Sequence, residues 1–254
     1  MFKTSVKLDT LREIGKICES LVKEVRINFS PTGIEVRAVD GAHVGMIRLV
    51  YKDKVYTDTY TGEPAALVFS LESLLKTINL GKAGQTVQLA WNQEENRLDL
   101  KFGDIVRKMT LVDPDALAQD PGFPNVELPD YTILKLEDLL QCARSGAILG
   151  ADGEIQLTLT KNGLAMHSEN KRDIIDVQIP KERLDKIDVK ADENSAKYPL
   201  KLFSDVINTL AGIEQVVLSM KSDNPIRLQF DLSGGAGTGR FLLAPRTKPS
   251  GGDE

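Results

Sequence analysis

The chain has 254 residues, 41% of them hydrophobic and 27% charged, with a formal net charge of −5 at neutral pH. That length allows one large domain or two of about 125 residues each. The composition is globular and excludes a surface coated in basic residues, though not a local basic stripe. No apolar run approaches the ~20 residues of a membrane helix. The opening MFKTSVKLDT also lacks a signal peptide's apolar core, so an intracellular location is expected.

In chain order, Leu11, Ile14, Cys18, Leu21 and Val22 recur at helical spacing and predict a first helix. Asp9 suits its N-cap or first turn. Two strands, EVRINFS and GIEVRAVD, follow around the turn PTG, and VGMIRLVY and ALVFS extend the sheet. A second helix is predicted over Leu71 to Leu80, followed by strands TVQLAWNQ, RLDLKFG and VRKMTLVD. Residues 113–130 hold four prolines and a glycine without any period, which reads as an extended connector.

Beyond the connector the pattern starts again. VKLDTLREI from Val6 is matched by LKLEDLLQC from Leu134, and TGIEVRAVD by NGLAMHSEN around Gly163. FSLESLLKTINL from Phe69 is matched by YPLKLFSDVINT from Tyr198, and VQLAWNQEENRLDLKF by VVLSMKSDNPIRLQF. Four matches in one order and at nearly constant separation indicate two copies of one domain. The expected fold class is α+β, with helices on one face of antiparallel sheet in each copy. The expected boundaries are 1–112, a connector at 113–130, a second copy at 131–246 and a disordered tail at 247–254.

A search for catalytic chemistry finds no complete motif. GGAGTGR, Gly234 to Arg240, lacks the Lys and Ser/Thr of a phosphate loop and reads as a hairpin tip. There is no CxxC, HExxH or G-x-S-x-G, and the DPD at Asp113 lacks the Gly and terminal Glu of a calcium loop. Cys18 and Cys142 lie far apart in amphipathic segments and are expected to be reduced and packed. His167 sits on a predicted strand as a surface or half-buried residue. Asp40 and His43 have the spacing of a dyad without an evident nucleophile, and turn chemistry accounts for them better. No metal or cofactor is expected.

The helix faces carry a different signal. Arg12, Lys16 and Lys23 fall within a stripe of roughly 40° at 100° per residue, with Glu13 and Glu19 as possible partners. Lys76 and Lys82, then Arg144, then Lys201 follow on or near the other three helices. In a monomer these are ordinary solvated faces. In a closed assembly with every helix on one channel they add up to a surface that tracks phosphates without reading bases.

With these residues in place, the chain resembles the sliding clamps of the proliferating cell nuclear antigen type, most of all the archaeal ones. The resemblance covers about residues 1–246 and rests on GIEVRAVDGAHVGMIRL, the connector ending VELPDY, SDNPIRLQF and FLLAPR. It implies a homotrimer closed head to tail into a ring of six similar domains around duplex DNA. Such a ring tethers DNA polymerase, flap nuclease and ligase to the template. A separate clamp loader opens it, so the clamp needs no nucleotide site. By resemblance the channel cations are Arg12, Lys16, Lys76, Lys82, Arg144 and Lys201, while Asn208 departs from the basic residue many relatives carry. The joint between subunits would use Arg107, Lys108, Met109 and Leu111 against Glu137, Asp173, Ile175 and Val177, with Asp176 nearby. Clients would insert short peptide motifs at Val39, His43, Met46, Val126, Leu128, Pro129, Pro225, Ala244 and Pro245. The implied location is the cytoplasm, on the nucleoid, for an archaeal protein and the nucleus for a eukaryotic one. Left open are a subunit of a heterotrimeric or checkpoint-type clamp, a monomeric adaptor, and a metal-dependent hydrolase using Asp40 and Asp173.

Overall fold

The computed structural model describes residues 1–116, 122–150 and 152–246. The expected tail at 247–254 and part of the connector lie outside the described residues. The chain forms two compact units, Met1–Phe123 with Asp231–Gly239, and Pro124–Phe230 with Arg240–Glu254.

The first unit runs β1 (Phe2–Lys7), α1 (Leu8–Glu19), β2 (Glu24–Ser30), β3 (Gly33–Val39), β4 (Gly45–Lys52), β5 (Tyr56–Gly62) and β6 (Ala65–Ser70). It continues with α2 (Leu71–Ile78), β7 (Thr86–Asn92), β8 (Arg97–Phe102) and β9 (Ile105–Thr110). One sheet has the order β5-β1-β7-β8-β9, and β6, β2, β3 and β4 pair in that order in another. The second copy repeats this plan without omission: β10 (Asp130–Lys135), α3 (Leu136–Ala147), β11 (Glu154–Thr160), β12 (Gly163–Glu169) and β13 (Ile174–Pro180). Then come β14 (Lys186–Asp188), β15 (Glu193–Pro199), α4 (Leu200–Thr209), β16 (Gln215–Met220), β17 (Ile226–Leu232) and β18 (Gly237–Leu243). Its pairings are β14-β10-β16-β17 and β13-β12-β11-β15, all antiparallel. From β10 to β17, each strand of the second copy thus follows the pairing order of its counterpart in the first.

The periodicities explain the elements. In β2, Val25, Ile27 and Phe29 point into the core while the residues between them stay half-exposed. In α1, Leu8, Leu11, Ile14, Ile17 and Cys18 are buried, and Lys16 and Glu19 face outward. The helices of each copy pack as a pair. At Gly15 a Cβ would stand 2.7 Å from Leu75 Cδ2, and at Gly146 one would stand 2.9 Å from Leu200 Cδ1, so small residues set these close approaches. Gly33 and Gly163 open the equivalent strands β3 and β12 with φ of 135° and 147°. A Cβ there would collide with the carbonyl oxygens of Tyr51 at 1.9 Å and Ile179 at 2.3 Å, so both copies require glycine for the same two reasons.

The structure corrects or sharpens four local points. The second helix ends at Ile78, and Leu80 lies beyond it, exposed. Lys7, without a side-chain cap, precedes α1, so Asp9 is a first-turn acid and not the N-cap. Strand β5 is not marked in the sequence, because the Thr- and Tyr-rich YTDTYTG lacks apolar alternation: it lies at a sheet edge and, among the described residues, pairs only with β1. Its Tyr60 stacks on Phe2 at 5.3 Å, and Phe2 stacks on Phe29 at 5.2 Å. Finally, GGAGTGR begins in a single 3-10 turn, Ser233–Gly235, between β17 and β18. Ser233, Gly234 and Gly235 all have positive φ there, which accounts for the glycines.

Candidate functional site

The Asp40–His43 pair is a turn. Asp40 Oδ2 accepts the amide of Ala42 at 3.0 Å, and Oδ1 accepts those of Val44 at 2.7 Å and Gly45 at 2.5 Å. The Asp40 carbonyl accepts the His43 amide at 2.9 Å, and His43 adopts φ 57°. The carboxylate is therefore spent on backbone donors. His43 itself is exposed at the tip between β3 and β4. Among the described residues no group of three or more His, Cys, Asp or Glu is placed to hold a metal. Cys18 and Cys142 are buried, and burial pushes both thiols up to about 12. His167, half-buried on β12, lies with Nδ1 2.8 Å from Asp176 Oδ1.

The remaining residues expected near His43 fall in both units. In the first unit, Val39 is half-buried and Met46 is buried. In the second, Leu128 is 6% exposed, Pro129 is exposed, and Val126, Pro225, Ala244 and Pro245 are half-buried. Arg227, not anticipated, holds the connector. Its guanidinium donates to the Val126 carbonyl at 3.3 Å and to Ser219 Oγ at 3.4 Å. Burial, with Arg240 nearby, pulls its pKa below the usual arginine value.

The helix cations separate into two kinds. Arg12 is withdrawn from solvent, with its side chain 16% exposed. It donates to Asp9 Oδ1 at 2.7 Å and to the carbonyls of Ile78 at 2.7 Å and Gly81. It thereby closes the C-terminal end of α2, where carbonyls and the helix dipole favour a cation. Its partner Asp9 accepts the Gly84 amide, and that bond, with Arg12, holds its carboxyl below the usual range. Lys16, Lys76, Lys82, Arg144 and Lys201 are exposed. Lys76 pairs with Glu72 at 2.5 Å, Lys201 with Asp205 at 2.6 Å, and Arg144 with Glu137 at 3.3 Å. Glu13, expected to partner the basic stripe, instead accepts Tyr51 Oη at 2.9 Å, Ser233 Oγ at 2.7 Å and the Ser233 amide at 3.1 Å.

Strands β9 and β13 are each the last strand of their sheet. On β9, Lys108 is exposed, but Met109 is buried, as is Leu111 just beyond. Arg107 donates to Thr77 Oγ1 at 2.6 Å and Ser73 Oγ at 2.9 Å on α2. On β13, Ile175 and Val177 are half-buried, and Asp173 beside it is exposed. The large apolar side chains that do stand out are Val106, 60% exposed, and Ile174, 61% exposed. Neither was anticipated; the period-2 alternation that turns Met109 and Ile179 inward puts Val106 and Ile174 on the other face of their strands and was the signal available.

The model for the N-terminal domain of proliferating cell nuclear antigen matches residues 2–113. The chain is 26% identical over 246 residues to the DNA polymerase sliding clamp of Methanosarcina acetivorans, covering 97% of this chain and 98% of the relative. The first copy thus matches the proliferating cell nuclear antigen model, and nearly the whole chain is similar to archaeal DNA polymerase sliding clamps. The Thermoplasma acidophilum clamp is likewise 26% identical, over 249 residues, covering 97% of this chain and 99% of that protein. Among solved members, A. fulgidus PCNA bound to the C-terminal region of FEN-1 superposes with a TM-score of 0.87 at 21% identity, over 98% of this chain and all of that one. A PCNA2–PCNA3 complex of Sulfolobus tokodaii gives 0.82 at 17%, over 97% and 100%. The family's fold accounts for the two-copy plan and for a fold built around helix pairs on antiparallel sheet.

Proposed function

We infer that the chain is a DNA sliding clamp: a processivity factor that encircles duplex DNA and tethers replication and repair enzymes to it. The observation that carries this reading is the likeness to archaeal clamps across nearly the full length of both chains. Three copies would close head to tail, β9 of one against β13 of the next. The two strands are the free ends of their sheets, and an unpaired edge invites another strand. Lys108 and the exposed Val106 on one side, with Asp173 and the exposed Ile174 on the other, are the complementary groups on offer. The helices would face the DNA. His43 and Pro129, with the half-buried Val39, Val126, Pro225, Ala244 and Pro245, would receive client peptides. The FEN-1 segment on A. fulgidus PCNA is the precedent for such a client. The clamp loader, DNA polymerase and ligase are proposed partners, no catalysis or cofactor is assigned, and the protein would work on the nucleoid.

The deciding experiment asks whether the protein stimulates a polymerase on primed circular DNA and stays on the circle but slides off once it is cut. Loss from both forms alike would overturn the reading. The Sulfolobus PCNA2–PCNA3 complex favours one second reading, a subunit of a heterotrimer. The mass of the pure protein in solution separates the two, since a strict monomer at micromolar concentration is incompatible with a homotrimer.

A further inference from the structure

The exposed faces of the four helices carry four cations, Lys16, Lys76, Arg144 and Lys201. The same faces carry four acids, Glu19, Glu72, Glu137 and Asp205. Three of the cations are bonded to an acid of their own helix: Lys76 to Glu72, Arg144 to Glu137 and Lys201 to Asp205. The other helix acids are engaged elsewhere. Asp9 binds Gly84 and Arg12, Glu13 binds Tyr51 and Ser233, and Asp138 is buried against Arg183. The surface that a clamp turns toward DNA is therefore close to neutral on its helices.

We propose that Glu72, Glu137 and Asp205 compete with DNA phosphates for Lys76, Arg144 and Lys201, and so set how loosely this clamp holds its duplex. The proposal rests on the sliding-clamp reading. Exposed ion pairs are weak in water, so a passing phosphate displaces the acid readily. The displaced carboxylate then stands beside the DNA backbone, and its repulsion cancels much of the gain. Each cation exchanges one anion for another with little net release of counterions. Helix stability accounts for the order of the pairs in α2 and α3 but not for that in α4. An acid placed to support a helix precedes its lysine, as Glu72 does in α2. In α4 the order is reversed, with Lys201 in the first turn and Asp205 behind it, against the helix dipole.

The test is a triple variant, Glu72→Gln, Glu137→Gln and Asp205→Asn, compared with wild type for binding to a labelled duplex across a range of salt. A second variant removes the same charge from exposed acids off the helices, Glu94→Gln, Glu182→Gln and Asp192→Asn. Thermal melts check that all three proteins are folded. The expected result is tighter binding by the helix variant alone, with log K falling more steeply against log salt by about one unit for each cation freed. Equal slopes for wild type and the helix variant would overturn the proposal and leave the clamp reading standing. An equal effect from the control variant would overturn it too, since overall charge and not pairing would then be at work. If neither wild type nor variant is retained on circular DNA, the clamp reading fails and the proposal with it.

Discussion

A single side chain often decides between anchoring the fold and meeting a ligand, and Arg12 and Lys16 illustrate it one turn apart. Arg12 satisfies carbonyls at the end of α2, so Arg12→Gln removes charge-assisted bonds from a half-buried site. A loss of about 2–3 kcal/mol is expected in urea unfolding. Lys16→Gln is expected to leave stability unchanged and to weaken DNA binding, because Lys16 is exposed with no ion-pair partner among the described residues. Asp130 offers a pH-dependent counterpart. Burial raises its pKa, but the amides of Lys190 and Ala191 and the carboxamide of Asn194 outweigh that and leave it below the usual range. A carboxyl depressed in the folded state stabilises above its unfolded value and stops doing so as pH falls through the folded one. Asp130→Asn is therefore expected to lower stability at neutral pH and to flatten the acid limb of a stability-versus-pH curve. A limb as steep as that of wild type would remove Asp130 from the account.

At the scale of elements, repetition made much of the fold legible. Gly33 and Gly163 occupy matched positions in TGIEVRAVD and NGLAMHSEN, and both turn out to need positive φ and an absent Cβ. Gly33→Ala and Gly163→Ala are each expected to cost about 3 kcal/mol or more, read as a fall in Tm. Gly41→Ala, with nothing near its Cβ, is expected to cost far less. Periodicity located the helices and the alternating strands because burial on one face writes itself into the sequence. It did not reveal β5, whose residues face mostly solvent, or the fate of long polar side chains. Arg12 and Glu13 sit on the polar side of α1 and yet fold back onto neighbours, which a helical wheel does not encode, while Arg107 shares the inward face of β9 with Met109. Met109, placed at a joint by resemblance, points inward in the single chain, as the alternation of β9 requires. Of the residues proposed to meet clients, His43 sits in a turn readable from Asp-Gly chemistry, whereas the strut from Arg227 to the carbonyl of Val126 was not readable.

For the whole molecule, the exposed groups on the edges are the place to intervene. Val106→Glu or Ile174→Asp is expected to break the proposed trimer into monomers by light scattering while the thermal melt stays close to wild type, because both side chains are already in water in the single chain. An undiminished trimer would move the joint away from β9 and β13. For clients, His43→Ala is the informative variant. It is exposed, so weakened binding of a client peptide in titration is expected without loss of stability. Leu128→Ala is a poor probe alone, since truncating a buried leucine costs about 2–5 kcal/mol in its own right.

The return of Asp231–Gly239 to the first unit bears on how this protein can be divided. Although the two copies look separable on paper, the turn that satisfies Glu13 is encoded more than a hundred residues downstream of it. A gene cut between Phe123 and Pro124 would yield an N-terminal half with Glu13 deprived of both Ser233 bonds and Lys52 without the Ala236 carbonyl its amide reaches. The first copy would then lack a segment that the gene supplies only near its other end, so its completeness depends on residues encoded after the second copy's helices.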